Sequence, residues 1–296
     1  MRIGAIEAGG TKFVCGIGNE SGMIEDRVSF PTERPETTLA KVVAYFQDKR
    51  VEAIGIGSFG PLDIDPSSPT YGFVTTTPKP GWANYDFLGE MKRNFDVPYG
   101  WDTDVNAAAY GEATWGAAKG LDSCLYYTIG TGIGVGVYAE GKLVHGLVHP
   151  EGGHVLTRRH PDDAFEGACP YHGDCLEGMA AGPAIEKRWG VKGFELGVDH
   201  PAWTIEAHYL AHAIASAILL LSPKKIILGG GVMKQEQLFP LVRAEVRKLL
   251  NGYVRAESIL GSIDAYIVPP GLGDNAGLGG ALALGLEALR KAAPSA

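Results

Sequence analysis

The run Cys169-Pro170-Tyr171-His172-Gly173-Asp174-Cys175 spaces two thiols and an imidazole by two residues each, and His154 lies upstream of it. Zinc favours thiolate and imidazole ligands. Two-residue spacings let a short loop fold round one ion, and four protein ligands leave no open coordination position, so the expected site is structural rather than catalytic. The alternative is a pair of reduced cysteines with an unrelated histidine nearby. His208 and His212 are also at metal spacing on an expected helix, but no thiol lies near them in sequence, and a surface or packing role is favoured. His145, His149, His160 and His200 read as solvated loop positions, and Cys15 and Cys124 as small core residues within strands.

Two glycine turns carry a second kind of chemistry. Glu7-Ala8-Gly9-Gly10-Thr11-Lys12 and Gly130-Thr131-Gly132-Ile133-Gly134 each join two strand-like runs. Glycines there let the backbone approach an anion with its amides pointing inward, and Thr11 and Lys12 add donors. Each alone is equally a tight hairpin turn; their recurrence in two halves of the chain favours a shared polyphosphate. There is no Gly-x4-Gly-Lys-Ser/Thr string. The one Gly-x-Gly-x-x-Gly, Gly55 to Gly60, runs into Pro61-Leu62-Asp63 where a dinucleotide fold needs a helix N-terminus.

The carboxylates come next. Asp104 stands before Val105-Asn106-Ala107-Ala108-Ala109, a helix opening where it serves either as an N-cap or as the acceptor that phosphoryl transfer to a hydroxyl requires. Glu151 and Glu177 bracket the metal residues. They are either surface charge or, if a metal fixes that loop, acceptors for the hydroxyls of a polyol.

These groups must be positioned by layered elements. Strand-like runs over 2–7, 13–17 and 23–30 read as a three-strand meander, followed by a helix over 35–48 and a strand over 51–57. The same grammar restarts near residue 123 with runs over 124–129, 135–138 and 142–144, so the chain contains an internal repeat. A helix over 204–221, a strand over 225–228 leading into Gly229-Gly230-Gly231, a helix over 237–250, a strand over 266–268 and a helix after Asn275 complete it. The link between halves reads as a helix over 106–118.

The bulk numbers agree with two α/β lobes. The chain has 296 residues and a net charge of -8, which argues against grip on a nucleic-acid backbone. No run approaches the roughly 18 apolar residues of a membrane span, and no export leader is visible, so a soluble, cytoplasmic protein is expected. Four cysteines are too few for a disulfide framework.

On these residues the chain resembles the ROK family of sugar kinases, and within it the bacterial zinc-containing fructokinases. Glu7 to Lys12 is similar to the family's first phosphate motif, with Glu7 in place of aspartate. Asp104 to Glu112 is similar to its Asp-x-Asn-Ala-Ala-Ala stretch, Thr128 to Gly136 to its second phosphate loop, Ile226 to Val232 to the strand and loop under the adenosine, and Glu151 to His154 to its Glu-x-Gly-His motif. The resemblance implies a duplicated ribonuclease H-like fold, of the hexokinase and actin-like ATPase kind, with an active-site cleft between two lobes. It divides the chain into a small lobe over 1–115, joined by a C-terminal helix over 283–296, and a large lobe over 116–282 that carries the zinc loop.

The resemblance further implies ATP with Mg2+ as co-substrate, structural Zn2+, a homodimer, and phosphorylation of a hexose, D-fructose to fructose 6-phosphate first. Asp104 would be the general base, and the sugar would meet Gly60, Thr103, Asp104, Glu151, His154 and Glu177. The nucleotide would meet Gly9, Gly10, Thr11, Lys12, Gly130, Thr131, Gly132, Gly134, Gly182, Pro183, Gly229, Gly230 and Gly231. The metal would be held by His154, Cys169, His172 and Cys175, with His172 where many members have cysteine. Thr103 and Lys79 stand where relatives often have asparagine, which leaves glucose, mannose or an N-acetylhexosamine as alternative sugars. A ROK transcriptional regulator is disfavoured because the first phosphate loop begins at residue 7 with no helix-turn-helix ahead of it, and a zinc hydrolase because it would need an open coordination position.

Overall fold

The computed structural model describes residues 1–293. In chain order the elements are β1 (Ile3–Ala8), β2 (Lys12–Gly18), β3 (Ile24–Pro31), α1 (Pro35–Phe46), β4 (Ala53–Ser58), β5 (Phe73–Val74), β6 (Tyr85–Asp86), α2 (Phe87–Asn94), β7 (Tyr99–Thr103) and α3 (Asp104–Thr114). There follow β8 (Cys124–Ile129), β9 (Ile133–Ala139), β10 (Lys142–Leu143), α4 (Leu176–Ala180), α5 (Gly182–Trp189), α6 (Ala202–Leu221), β11 (Ile226–Gly229), α7 (Leu238–Leu250), α8 (Glu257–Leu260), α9 (Ile263–Tyr266), β12 (Ile267–Val268) and α10 (Ala276–Ala292).

The chain folds as two compact units. The first takes Met1–Gly120, Gly136–Pro150 and the segment from Gly271 to the end of the described chain; the second takes Leu121–Val135 and Glu151–Pro270. The β9–β10 hairpin therefore joins the first unit from Gly136 onward, and the C-terminal contribution to that unit begins at 271, twelve residues ahead of the expected 283. Residues 294–296 of the expected terminal helix lie outside the described residues.

In the first unit β1 pairs antiparallel with β2 and β2 with β3, the expected meander, while β1, β4 and β7 run parallel. The sheet order is β3-β2-β1-β4-β7. Side chains alternate across a strand, and here both faces are covered. Ile3, Ala5 and Ala53 pack with Leu278, Ala281, Leu282 and Leu286 of α10. Ile6, Phe13, Cys15 and Ile56 pack with Leu39, Val42 and Phe46 of α1 and with Phe87, Leu88 and Met91 of α2. Strands buried on both faces read as continuous apolar runs, which is why β1 and β4 were legible.

In the second unit β8, β11 and β12 run parallel. The second sheet has the order β10-β9-β8-β11-β12. Each sheet thus sets an antiparallel three-strand run beside two further parallel strands, and the internal repeat is real at the level of topology. The long helix α6 packs against α7 and α4. By length and composition α6 is apolar enough to cross a membrane, a stretch the sequence reading passed over; half of its most apolar window is buried inside the fold, as in a core helix.

Candidate active site

The turn that carries Asp104 is built where β7 runs into α3. Thr103 is the N-cap: its Oγ1 accepts from the Asn106 amide at 3.1 Å. Asp104 is the first helical residue, so the capping role that competed with catalysis for this carboxylate is filled by its neighbour. Thr103, expected at the sugar, is itself buried. Asp102, buried and not singled out from sequence, organises the turn from behind. Its Oδ1 accepts from the Thr103 amide at 2.8 Å and from Asn106 Nδ2 at 2.9 Å, and Asn106 Oδ1 accepts from the Val137 amide.

Two histidines read from sequence as solvated loop residues belong to the same neighbourhood; His145 is an exposed loop residue as expected but is tied to the turn, whereas His149 is buried and its reading is corrected. His145 Nε2 lies 2.6 Å from Asp102 Oδ2, and this hydrogen bond raises the imidazole pKa against the opposing effect of partial burial. His149 is 7% exposed and its Nε2 accepts from the Leu62 amide at 3.0 Å. An acceptor nitrogen requires the neutral ring, in keeping with a pKa lowered by burial. Gly60, expected at the sugar, lies against the same ring, with Cε1 3.4 Å from where its Cβ would be.

The first glycine turn is shorter than expected, since Lys12 already opens β2. Neither Gly9 nor Gly10 has a positive φ; close approach, not a left-handed backbone, demands glycine. A Cβ at Gly9 would sit 2.8 Å from the Lys12 carbonyl oxygen, whose acceptor is already used by the Gly9 amide. The Thr32 hydroxyl donates to the Gly9 carbonyl and the Thr32 amide to the Thr11 carbonyl, so the turn is tied to the end of β3. Glu7 points to the start of α10 and accepts from the Leu278 amide; burial raises its pKa, opposed by the Lys12 charge.

In the second unit the glycine segments converge. Gly130, Thr131, Gly182, Pro183 and Gly231 line one cavity of about 390 Å³, with Ile185 and Trp203 among its apolar walls and Glu186 and Gln235 among its polar groups. That is within the range of small-ligand sites. The Gly182 amide donates to the Gly130 carbonyl at 2.7 Å, and Pro183 sits in the first turn of α5, where a missing N–H costs nothing. Gly230 has φ +91°, a conformation that glycine alone adopts freely. Gly229 ends β11, and Gly134 already lies inside β9. Gly132 leaves room for Glu177: a Cβ there would meet the carboxylate at 2.7 Å, and Glu177 Oε2 accepts from the Ile133 amide at 2.9 Å. Glu177 therefore braces the second loop from one side. Glu151 has its pKa raised by burial and then by the Glu177 charge, which puts the two carboxylates in one electrostatic neighbourhood.

The metal candidates come together as expected. The ligand atoms of His154, Cys169, His172 and Cys175 all lie within 4.8 Å of one another. His154 Nδ1 is 3.5 Å from Cys175 Sγ and 3.8 Å from Cys169 Sγ, and Cys169 Sγ is 3.7 Å from His172 Nδ1. Zinc bonds of ~2.3 Å to sulfur and ~2.0 Å to nitrogen at a tetrahedral angle put a nitrogen and a sulfur ligand ~3.5 Å apart. The residues fit zinc. Burial, and then the neighbouring Cys169, push the Cys175 thiol up to about 11, so the donor set is one that a cation must complete to hold thiolates. His154 turns Nδ1 to the cysteines, leaving Nε2 for a second partner. Cys175 is also the N-cap residue of α4, and Glu177 is on that helix's first turn. Of the other histidines, His212 packs against His208, and His208 Nε2 bonds the Arg158 carbonyl, so the packing reading fits these two rings; His160, expected as a solvated loop position, packs edge-on against His208.

Comparison with known proteins places this geometry. The family model "ROK family" matches residues 3–288. The chain belongs to the ROK family. It is 55% identical over 293 residues to a putative fructokinase of Bacillus subtilis (strain 168), covering 99% of this chain and 98% of that protein. It is 50% identical over 292 residues to a fructokinase of Pediococcus pentosaceus, covering 99% and 100%. The crystal structure of a ROK glucokinase from Streptomyces griseus, in complex with glucose and AMPPNP, is 25% identical with a TM-score of 0.76, covering 97% of this chain and 100% of that one.

Proposed function

We propose that this ROK protein is an ATP-dependent fructokinase that converts D-fructose to fructose 6-phosphate. The observation that carries the kinase reading is the 390 Å³ cavity of the second unit, lined at once by residues from the second glycine turn, the start of α5 and the loop after β11. The sugar is argued from the two fructokinase relatives, each aligned over 99% of this chain.

In this reading Asp104 takes the proton from a fructose hydroxyl as that oxygen attacks the γ-phosphorus, the γ-phosphoryl group passes to the sugar and ADP leaves. Mg2+ neutralises charge on the phosphates. The amides of residues 9–12 and 130–132 hold phosphate oxygens, and Glu151, Glu177 and His154 Nε2 hold sugar hydroxyls. Zinc at His154, Cys169, His172 and Cys175 serves as a rigid tie that keeps Glu177 where it braces the second turn. All four cysteines are free, in keeping with a reducing cytoplasm. A homodimer belongs to the same reading and rests on the family resemblance; light scattering after gel filtration tests it.

The purified chain with Mg-ATP and a panel of fructose, glucose, mannose and N-acetylhexosamines tests the activity. Fructose-dependent release of ADP, with the product phosphate on C6, is expected. A larger kcat/KM for another hexose would replace fructose as the substrate, and no sugar-dependent ADP release would end the kinase reading.

A further inference from the structure

Lys79 holds its side chain against the first phosphate loop. A Cβ placed on Gly10 would lie 3.0 Å from Lys79 Cε and 3.4 Å from Lys79 Nζ, so the ammonium lies beside a residue of the turn that has no side chain to keep it away. The segment that delivers it is anchored. The Lys79 carbonyl accepts from the Trp82 amide, Trp82 is fully buried among Phe13, Phe59 and Phe87, and its Nε1 donates to the Glu33 carbonyl at 2.8 Å. Upstream, Thr75 bonds the Pro61 carbonyl through both its amide and its hydroxyl. Lys79 is half-buried, and among the described residues its ammonium has no ion-pair partner. The amides of Gly10 and Thr11, on the same turn, make no hydrogen bond among the described residues. Lys12, the cation expected to serve this loop, is exposed and partly answered by the Glu7 charge.

An unpaired ammonium held at a turn with two unused amides is a set of donors for an anion. We propose that Lys79 binds a non-bridging oxygen of the γ-phosphoryl group and stabilises the charge that spreads over that group during transfer. The proposal rests on the kinase reading above, and it assigns Lys79 to the phosphate rather than to the choice of sugar. Cations aimed at the equatorial oxygens are worth most in the transition state, where charge moves without the donors having to reorganise.

The variants Lys79→Met and Lys79→Arg test this in the full chain, with two readouts. In steady-state kinetics with fructose, Lys79→Met is expected to lower kcat ~10²- to 10³-fold, a loss on the scale of one removed transition-state donor. The fructose KM should move less than about threefold, and Lys79→Arg should recover at least about tenfold of the loss. In calorimetry without sugar, Lys79→Met is expected to lose most of the preference for AMPPNP over ADP while binding ADP normally. That retained ADP affinity also shows the variant to be folded. Should Lys79→Met not fold, Gly10→Ala, whose methyl would displace the lysine tip, is expected to give the same loss of AMPPNP preference. Unchanged discrimination between AMPPNP and ADP overturns the proposal, as does a variant whose only defect is a raised fructose KM. A wild-type protein that discriminates AMPPNP from ADP through Lys79 but phosphorylates no sugar would overturn the function and leave the phosphate contact standing.

Discussion

Asp104 and Asp102 are two residues apart and do different things because one is left to the helix opening and the other is enclosed. Thr103 caps α3, so Asp104, whose Oδ1 accepts from the Val105 amide, is the first helical residue and not the N-cap, while Asp102 fastens the turn to His145 and Asn106. Asp104→Asn keeps shape and hydrogen-bonding capacity but removes the proton acceptor. It is expected to lower kcat by ~10²- to 10⁴-fold with the fructose KM little changed, measured by coupled ADP release; near-normal turnover would take Asp104 out of the mechanism. His145 gives a pH signature. Its folded pKa is raised by Asp102, so its stabilising contribution is fully present below the unfolded value of ~6.5 and is lost as pH rises through the raised folded value. The charged groups facing the ring are Asp102 and, once protonated, His149. The melting temperature of His145→Asn should therefore fall short of wild type at pH 6 and approach it at pH 9; a gap that widens toward high pH would contradict the assignment.

The Cys169–Cys175 loop and α4 form a short mechanical chain in the second unit: Cys175 opens the helix, and Glu177 two residues on holds the Ile133 amide. Chelation should release both ends of it. Zinc-free protein is expected to show a several-fold higher KM for ATP together with a lower melting temperature, both restored by one equivalent of zinc, with metal content read by atomic emission. Full activity in protein shown to carry no zinc would separate the loop from the glycine turn. Cys-x2-His-x2-Cys was legible because its ligands are neighbours in sequence. The pairs Asp102–His145 and Leu62–His149 were not, because their partners are 43 and 87 residues apart and neither histidine sits in a patterned segment. The helices α2 and α5 escaped notice for a related reason: each is eight residues long, too short for the 3.6-residue apolar period to declare itself.

At the scale of the whole chain, the duplication seen as a restart of strands and glycines near residue 123 became two sheets with matching strand order. What the sequence did not show was where each unit ends. Periodicity marks elements, whereas the allegiance of α10 is set by Leu278, Leu282 and Leu286 packing on Ile3, Ala5 and Ala53, nearly the whole chain length away. Burying three leucines contributes ~5–9 kcal/mol, against a total stability of ~5–15 kcal/mol for a typical protein. A chain truncated after Pro270 is therefore expected to lose cooperative folding of the first unit. Circular dichroism melts check this, and a sharp native-like transition in the truncated chain would show that α10 is dispensable.

The polypeptide leaves one unit for the other after Gly120, Val135, Pro150 and Pro270. Neither half can be excised by a single cut or transplanted as one contiguous cassette. A chimaera that seeks to exchange one unit of this enzyme for that of a relative must splice at each of those joints, one of them inside β9. Changes in sugar preference are accordingly better sought by point substitutions around fixed strands than by exchanging blocks of sequence.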